Sequence, residues 1–161
     1  MADQLDGVDF ALAAYREEGV WQVQELAHDV LTDVETLSHA LRRFPGDHGA
    51  VGMVAIDEDF FLVARVAGAQ TRVLLSDVTA AEEWEIARSA LEFLGLPPWE
   101  DDDEPIPAGD LDLLADLGMT AMDMGVLLDD LDLYPDEALS EVARRLGFGA
   151  QFDDAVDLTS A

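Results

Sequence analysis

The sequence predicts an α+β fold: an antiparallel five-stranded sheet in the order β-β-α-β-β-β-α, two helices on one face of it, and a small C-terminal helical appendage. Three observations carry this. Apolar residues alternate in period two in several short runs, helical spacing with capping signals occurs once among those runs and once after them, and beyond an acidic run the pattern becomes wholly helical.

Val8, Phe10, Leu12 and Ala14 alternate as a half-buried strand does. Glu17, Glu18 and Gly19 read as a turn. Trp21 and Val23 then share one side of a second strand, with Gln22 and Gln24 opposite, which makes a β-hairpin. Thr32 with Glu35 reads as a capping box. Val34, Leu37, Leu41 and Phe44 follow at helical spacing, Arg42 and Arg43 complement the dipole of the last turn, and Pro45-Gly46 ends the helix. Val51–Ile56 is apolar on both faces, as a central strand is. Phe60–Val66 and Thr71–Leu75 complete a meander, with turns at Asp57–Asp59 and Ala67–Ala69. Thr79 with Glu82 is a second capping-box signal. Trp84, Ala87, Leu91 and Leu94 line that helix, and Gly95 is expected just past its end, before Pro97-Pro98.

These boundaries predict a sheet domain over residues 1–99. An acidic, proline-containing linker over 100–107 follows, then a helical appendage over 108–152 and a frayed tail over 153–161. In the appendage Leu111, Leu114 and Leu117 repeat before Gly118. Thr120 is placed to cap a helix carrying Met124, Leu127, Leu128 and Leu131. Pro135, Asp136 and Glu137 suit the first turn of a third helix whose inner face is Leu139, Val142, Ala143 and Leu146. Arg144 and Arg145 close it and Gly147 terminates it.

Charge is the most informative feature for function. Of 161 residues, 36 are acids and 8 are basic, all of them arginine, for a formal net charge of −28. Residues 1–99 hold 18 acids and 6 arginines, a net of −12; residues 100–161 hold 18 acids and 2 arginines, a net of −16. Such a surface repels nucleic-acid phosphates and anionic membranes and prefers a basic protein or a metal cation.

Familiar chemistries lack their residues. There is no cysteine, hence no disulfide, thiol catalysis or Cys-ligated zinc. There is no lysine, hence no P-loop lysine and no Schiff base. Gly46, Gly49 and Gly52 lack the dinucleotide-binding spacing and read as a flexible loop. His28, His39 and His48 include no i, i+4 pair, and no serine stands in G-x-S-x-G. Asp130, Asp132 and Glu141 fit positions one, three and twelve of an EF-hand loop, but Pro135 stands where that loop needs glycine. No catalytic, cofactor-binding or metal-ligating residue is assigned, and no cofactor is expected. The first ten residues lack the pattern of a signal peptide, and Val51–Ile56 is too short to span a bilayer, so the expected compartment is the cytoplasm.

Trp21 and Trp84 fall on periodic apolar faces and are assigned to the core. Trp99 stands outside the helical pattern, beside the acids Glu100, Asp101, Asp102, Asp103 and Glu104. With Met119, Met122 and Met124, these are the candidate partner contacts.

Three segments carry a resemblance. They are the run from Pro107 to Met119, the run Tyr134-Pro135-Asp136-Glu137-Ala138-Leu139, and Arg145-Leu146-Gly147-Phe148 followed by Phe152. With the strand-rich part before them, over roughly Val8 to Val156, they resemble the actinobacterial tRNA adenosine deaminase-associated proteins. The resemblance implies association with a deaminase and supplies no catalytic residues. The chain lacks the H-x-E and P-C-x-x-C segments with which zinc deaminases hold their metal and water. The expectation is a non-catalytic accessory protein that binds a basic partner, to which the resemblance gives the identity of a tRNA adenosine deaminase. Two other readings stay open: a metal-binding module or enzyme using clustered carboxylates, and a structural protein that self-associates as a homodimer.

Overall fold

The computed structural model describes residues 8–26, 31, 33–44, 49–56, 60–67, 70–79, 84–95, 107–129 and 134–160. Strands β1 (Val8–Glu17), β2 (Val20–Glu25), β3 (Ala50–Ile56), β4 (Phe60–Ala67), β5 (Gln70–Leu75) and β6 (Ala108–Gly109) form one sheet in the order β2-β1-β3-β4-β5-β6. Every neighbouring pair is antiparallel. The sheet therefore has six strands where the sequence predicts five. The sixth is two residues long, too short to leave a periodic signal. It reaches β5 because Gly109 adopts φ 121° and lies so close that a Cβ there would run into the carbonyl of Val73.

The β1–β2 hairpin turns on two residues. Glu17 pairs with Val20, while Glu18 (φ 54°) and Gly19 (φ 81°) both take left-handed conformations, as a type I′ turn demands. Glu17 thus closes β1 instead of lying in the turn. β3 is buried along its whole length and sits inside the sheet, as its unbroken apolar run predicts.

Side-chain alternation sorts the strands onto two faces. One face carries Ala11, Ala13, Tyr15, Val54, Leu62, Ala64 and Leu75 beneath α1 (Val34–Leu41) and α2 (Glu85–Phe93). This is the pair of helices predicted for one face. They meet where the Val34 N–H donates to Ser89 Oγ at 2.9 Å. Gly52 lies within β3 under α1, where a Cβ would stand 3.1 Å from Leu41 Cδ1, so it serves helix–sheet packing instead of the predicted flexible loop. Gly49 directly precedes that strand; Gly46 lies outside the described residues.

Both capping predictions shift. The N-cap of α1 is Asp33, whose carboxylate accepts from the Thr36 N–H at 2.7 Å; aspartate caps as well as threonine and stands one residue nearer. α2 starts only at Glu85, after Trp84. The Thr79 hydroxyl instead donates to Asp77 Oδ1 at 2.7 Å, a local bond that competes with capping. Thr32 and Glu82 lie outside the described residues. Gly95 (φ 74°) stops α2 as predicted, its N–H donating to the Glu92 carbonyl at 3.0 Å.

The other face of the sheet, with Phe10, Leu12, Val51, Met53, Phe61, Val63 and Leu74, is covered by the C-terminal residues. These comprise a 3-10 turn (Ala115–Leu117), α3 (Ala121–Asp129), α4 (Pro135–Leu146) and α5 (Gly149–Ser160). The sheet is thus the middle of three layers. The three-residue spacing of Leu111, Leu114 and Leu117 belongs to turns and the 3-10 segment, not to an α-helix. Thr120 caps α3 as predicted: its hydroxyl accepts from the Asp123 N–H at 3.2 Å, and the Asp123 carboxylate accepts from its N–H at 3.3 Å. Pro135 opens α4, Leu139, Val142, Ala143 and Leu146 are buried, and Gly147 (φ 106°) ends it. α5 is not predicted by the sequence pattern. It runs through the stretch expected to fray from Asp153, held by Phe148 at its approach and by Phe152, whose ring meets Phe10 edge-on at 5.4 Å.

Candidate interaction surface

Two anchors place the C-terminal layer. The first is Trp21 on β2. Its indole N–H donates to the carbonyl of Leu146 at 3.0 Å, so a strand side chain satisfies an orphan acceptor at the end of α4. Its ring lies 4.7 Å from that of Phe148, and the Arg16 guanidinium stands over it at 5.6 Å. Gln151 of α5 donates to the Trp21 carbonyl at 3.4 Å. The apolar alternation of β2 marks Trp21 as core, but nothing in the local sequence points to a helix end as its partner.

The second anchor is Arg65 on β4, only 6% exposed. It follows Phe61 and Val63 on the same face, where the C-terminal layer would otherwise demand an apolar side chain. Its guanidinium donates to the Leu113 carbonyl at 2.9 Å and to both carboxylate oxygens of Asp116, Nη2 to Oδ2 at 2.8 Å. A bidentate grip of this kind fixes orientation as well as position. Arg72 stands nearby, 3.9 Å from Asp110 and 3.8 Å from Asp112. Arg65, Ala67, Gln70, Arg72, Asp112, Ala115 and Asp116 line a cleft of about 300 Å³. Its guanidinium groups face carboxylates of the same chain, so the cleft clasps the 3-10 turn to the sheet. The sequence hides this anchor because a lone arginine inside an apolar strand has no motif.

The candidate contacts separate sharply. Met119 and Met124 are fully buried among the residues of the second core. Met122 is 79% exposed. Trp99, Glu100, Asp101, Asp102, Asp103 and Glu104 lie outside the described residues. His39 is exposed on α1; His28 and His48 are outside the described residues. Among the described residues no group of three or more histidine, aspartate or glutamate side chains converges as a metal site would. Among them, too, no helix is long and apolar enough to cross a membrane.

α3 is the element whose apolar residues exceed what the core takes. Met124 and Leu127 point inward, while Met122 and Val126, one helical turn apart, point outward, Val126 being 65% exposed. Asp129 continues the same outward stripe at the helix C-terminus, where the macrodipole is already negative and no basic residue stands. The arginines of this region are engaged elsewhere. Arg144 binds Glu141, and Arg145 binds Glu141 at 3.2 Å and Asp123 at 3.5 Å. The Arg144 hydrogen bond foremost holds the Glu141 carboxyl below its usual pKa; burial opposes it, and the charge of Arg144 and the hydrogen bond and charge of Arg145 add to the lowering. Asp110, Asp112, Asp116, Asp136 and Glu137 are exposed around these elements, giving the layer a negative outer surface.

A model of the family described as Rv3753c-like tRNA adenosine deaminase-associated protein matches residues 9–149. Protein Rv3753c of Mycobacterium tuberculosis (strain H37Rv) is 38% identical over 159 residues, covering 97% of this chain and 91% of that protein. No solved structure matches the chain.

Proposed function

We propose, from the premise that the chain belongs to the Rv3753c-like tRNA adenosine deaminase-associated family, that it is a non-catalytic accessory protein which binds a tRNA adenosine deaminase by opposite charge. The observation that carries the electrostatic half is the net charge of −28, of which −16 falls on residues 100–161. An enzyme that handles tRNA must present cations to phosphates, and an acidic protein is complementary to that same face. Charge of this kind governs encounter and choice of partner more than ultimate affinity. Docked there, the protein competes with RNA for the basic face. The chain holds no cysteine and no H-x-E segment, which leaves zinc-dependent deamination to the partner. A cytoplasmic location follows from this reading.

Co-purification with the deaminase of the same organism tests it. Salt from about 0.01 M to about 1 M shortens the Debye length from roughly 30 Å to roughly 3 Å. The deaminase is expected to be retained at the low end and released at the high end. Retention at no salt concentration would remove the proposal, and retention indifferent to salt would remove its electrostatic half.

A further inference from the structure

We propose that the outward face of α3 is the docking ridge: Met122 and Val126 seat in an apolar groove of the basic partner, and Asp129 meets an arginine or lysine at the end of that groove. This inference rests on the accessory reading above and adds where and how the contact is made.

Met122 and Val126 are the two most exposed of the large apolar side chains among the described residues, at 79% and 65%. Single exposed apolar residues are ordinary on a protein surface. These two differ because they lie four residues apart on one helix, so their side chains are adjacent and form a continuous ridge. A helix that needed only to pack on the sheet would carry polar residues there. Gly125 lies beside the ridge, and a Cβ on it would meet nothing within 4 Å, so a partner can approach the helix backbone closely. Helix-in-groove recognition uses such i, i+4 anchors.

Charge decides what covers the ridge. α3 ends at Asp129 with no cation in its last turn, and the sequence continues with Asp130 and Asp132. Carboxylates at the negative end of a helix dipole are unfavourable alone and are relieved by an external cation. Asp123 flanks the ridge from the first turn. A second copy of this chain would bring the same net charge of −28 to the contact, which opposes self-association through this face. A groove with a basic rim is the complementary surface.

The test is titration calorimetry of the full chain against the tRNA adenosine deaminase of its own organism. Three variants are compared with the wild type: Met122→Ser with Val126→Ser, Asp129→Asn, and Phe93→Ser with Val20→Ser as an exposed apolar control elsewhere. All substituted side chains are exposed, and circular dichroism checks that each variant keeps its fold. The Met122→Ser/Val126→Ser variant is expected to bind about tenfold or more weakly. Asp129→Asn should bind more weakly at low salt, with a shallower salt dependence. The Phe93→Ser/Val20→Ser control should bind as the wild type does. Unchanged binding by the α3 variants beside a wild type that binds would overturn this inference and leave the accessory reading standing. No binding by the wild type would overturn both. Sedimentation velocity covers the remaining occupant: a wild-type dimer abolished by Met122→Ser/Val126→Ser would assign the ridge to a second copy and overturn the proposal.

Discussion

Trp21 shows how much one side chain can decide. Its ring fills the space against Phe148, and its N–H satisfies a buried carbonyl at the end of α4. Replacement by phenylalanine keeps most of the packing and leaves that carbonyl without its donor, which costs about 1–3 kcal/mol. Replacement by alanine adds a cavity and should cost roughly 3–5 kcal/mol. Urea denaturation of both variants measures the two contributions separately. Glu141 offers a second residue-scale prediction. Its carboxyl pKa is lowered chiefly by the Arg144 hydrogen bond, so the interaction adds stability above the unfolded-state pKa and loses it as pH falls through the folded-state value. Arg144→Ala should therefore raise the Glu141 pKa in an NMR titration. It should also destabilise slightly at neutral pH, with the difference from wild type vanishing in acid. The effect is small because solvent screens the pair.

Among the elements, the 3-10 turn and its clasp on β4 carry the clearest prediction. Asp116→Ala deprives the buried Arg65 guanidinium of its bidentate partner while leaving the Leu113 carbonyl. The loss should be about 1–3 kcal/mol, moderated by the exposure of Asp116, and smaller if Arg65 is replaced by methionine in the same chain. A double-mutant cycle followed by thermal unfolding checks both. The element scale also shows what could be read in advance. The strands of the meander, the α1 and α4 stripes, the Pro135 start and the Gly95 and Gly147 stops were legible because each rests on local periodicity or backbone conformation. β6 was not, because two residues have no period and only Gly109 permits the approach to β5. α5 was not, because its anchoring rings find their partners far away in sequence, Phe152 on β1 and Phe148 on β2. Of the candidate contacts, Met119, Met122 and Met124 looked alike in composition. Only the packing of α3 and of the residue pair before it separates one outward methionine from two inward ones.

For the whole molecule, the middle layer depends on both of its neighbours. Phe10, Leu12, Met53, Phe61, Val63 and Leu74 are covered by residues that follow the acidic run. A chain ended after Pro107 would leave that face bare, well beyond the patch size a soluble monomer tolerates. Such a chain should bind a hydrophobic dye and sediment as aggregates, and the intact chain should do neither. The bonds that seal the sheet's second face span 125 residues from Trp21 to Leu146 and 130 from Trp21 to Gln151. Contacts so distant along a chain close late. On the ribosome the hairpin emerges early and must wait, one greasy side open, until the last helices arrive to shut it. Nascent copies of so anionic a polypeptide push one another away on a crowded polysome, which guards that open side during the delay.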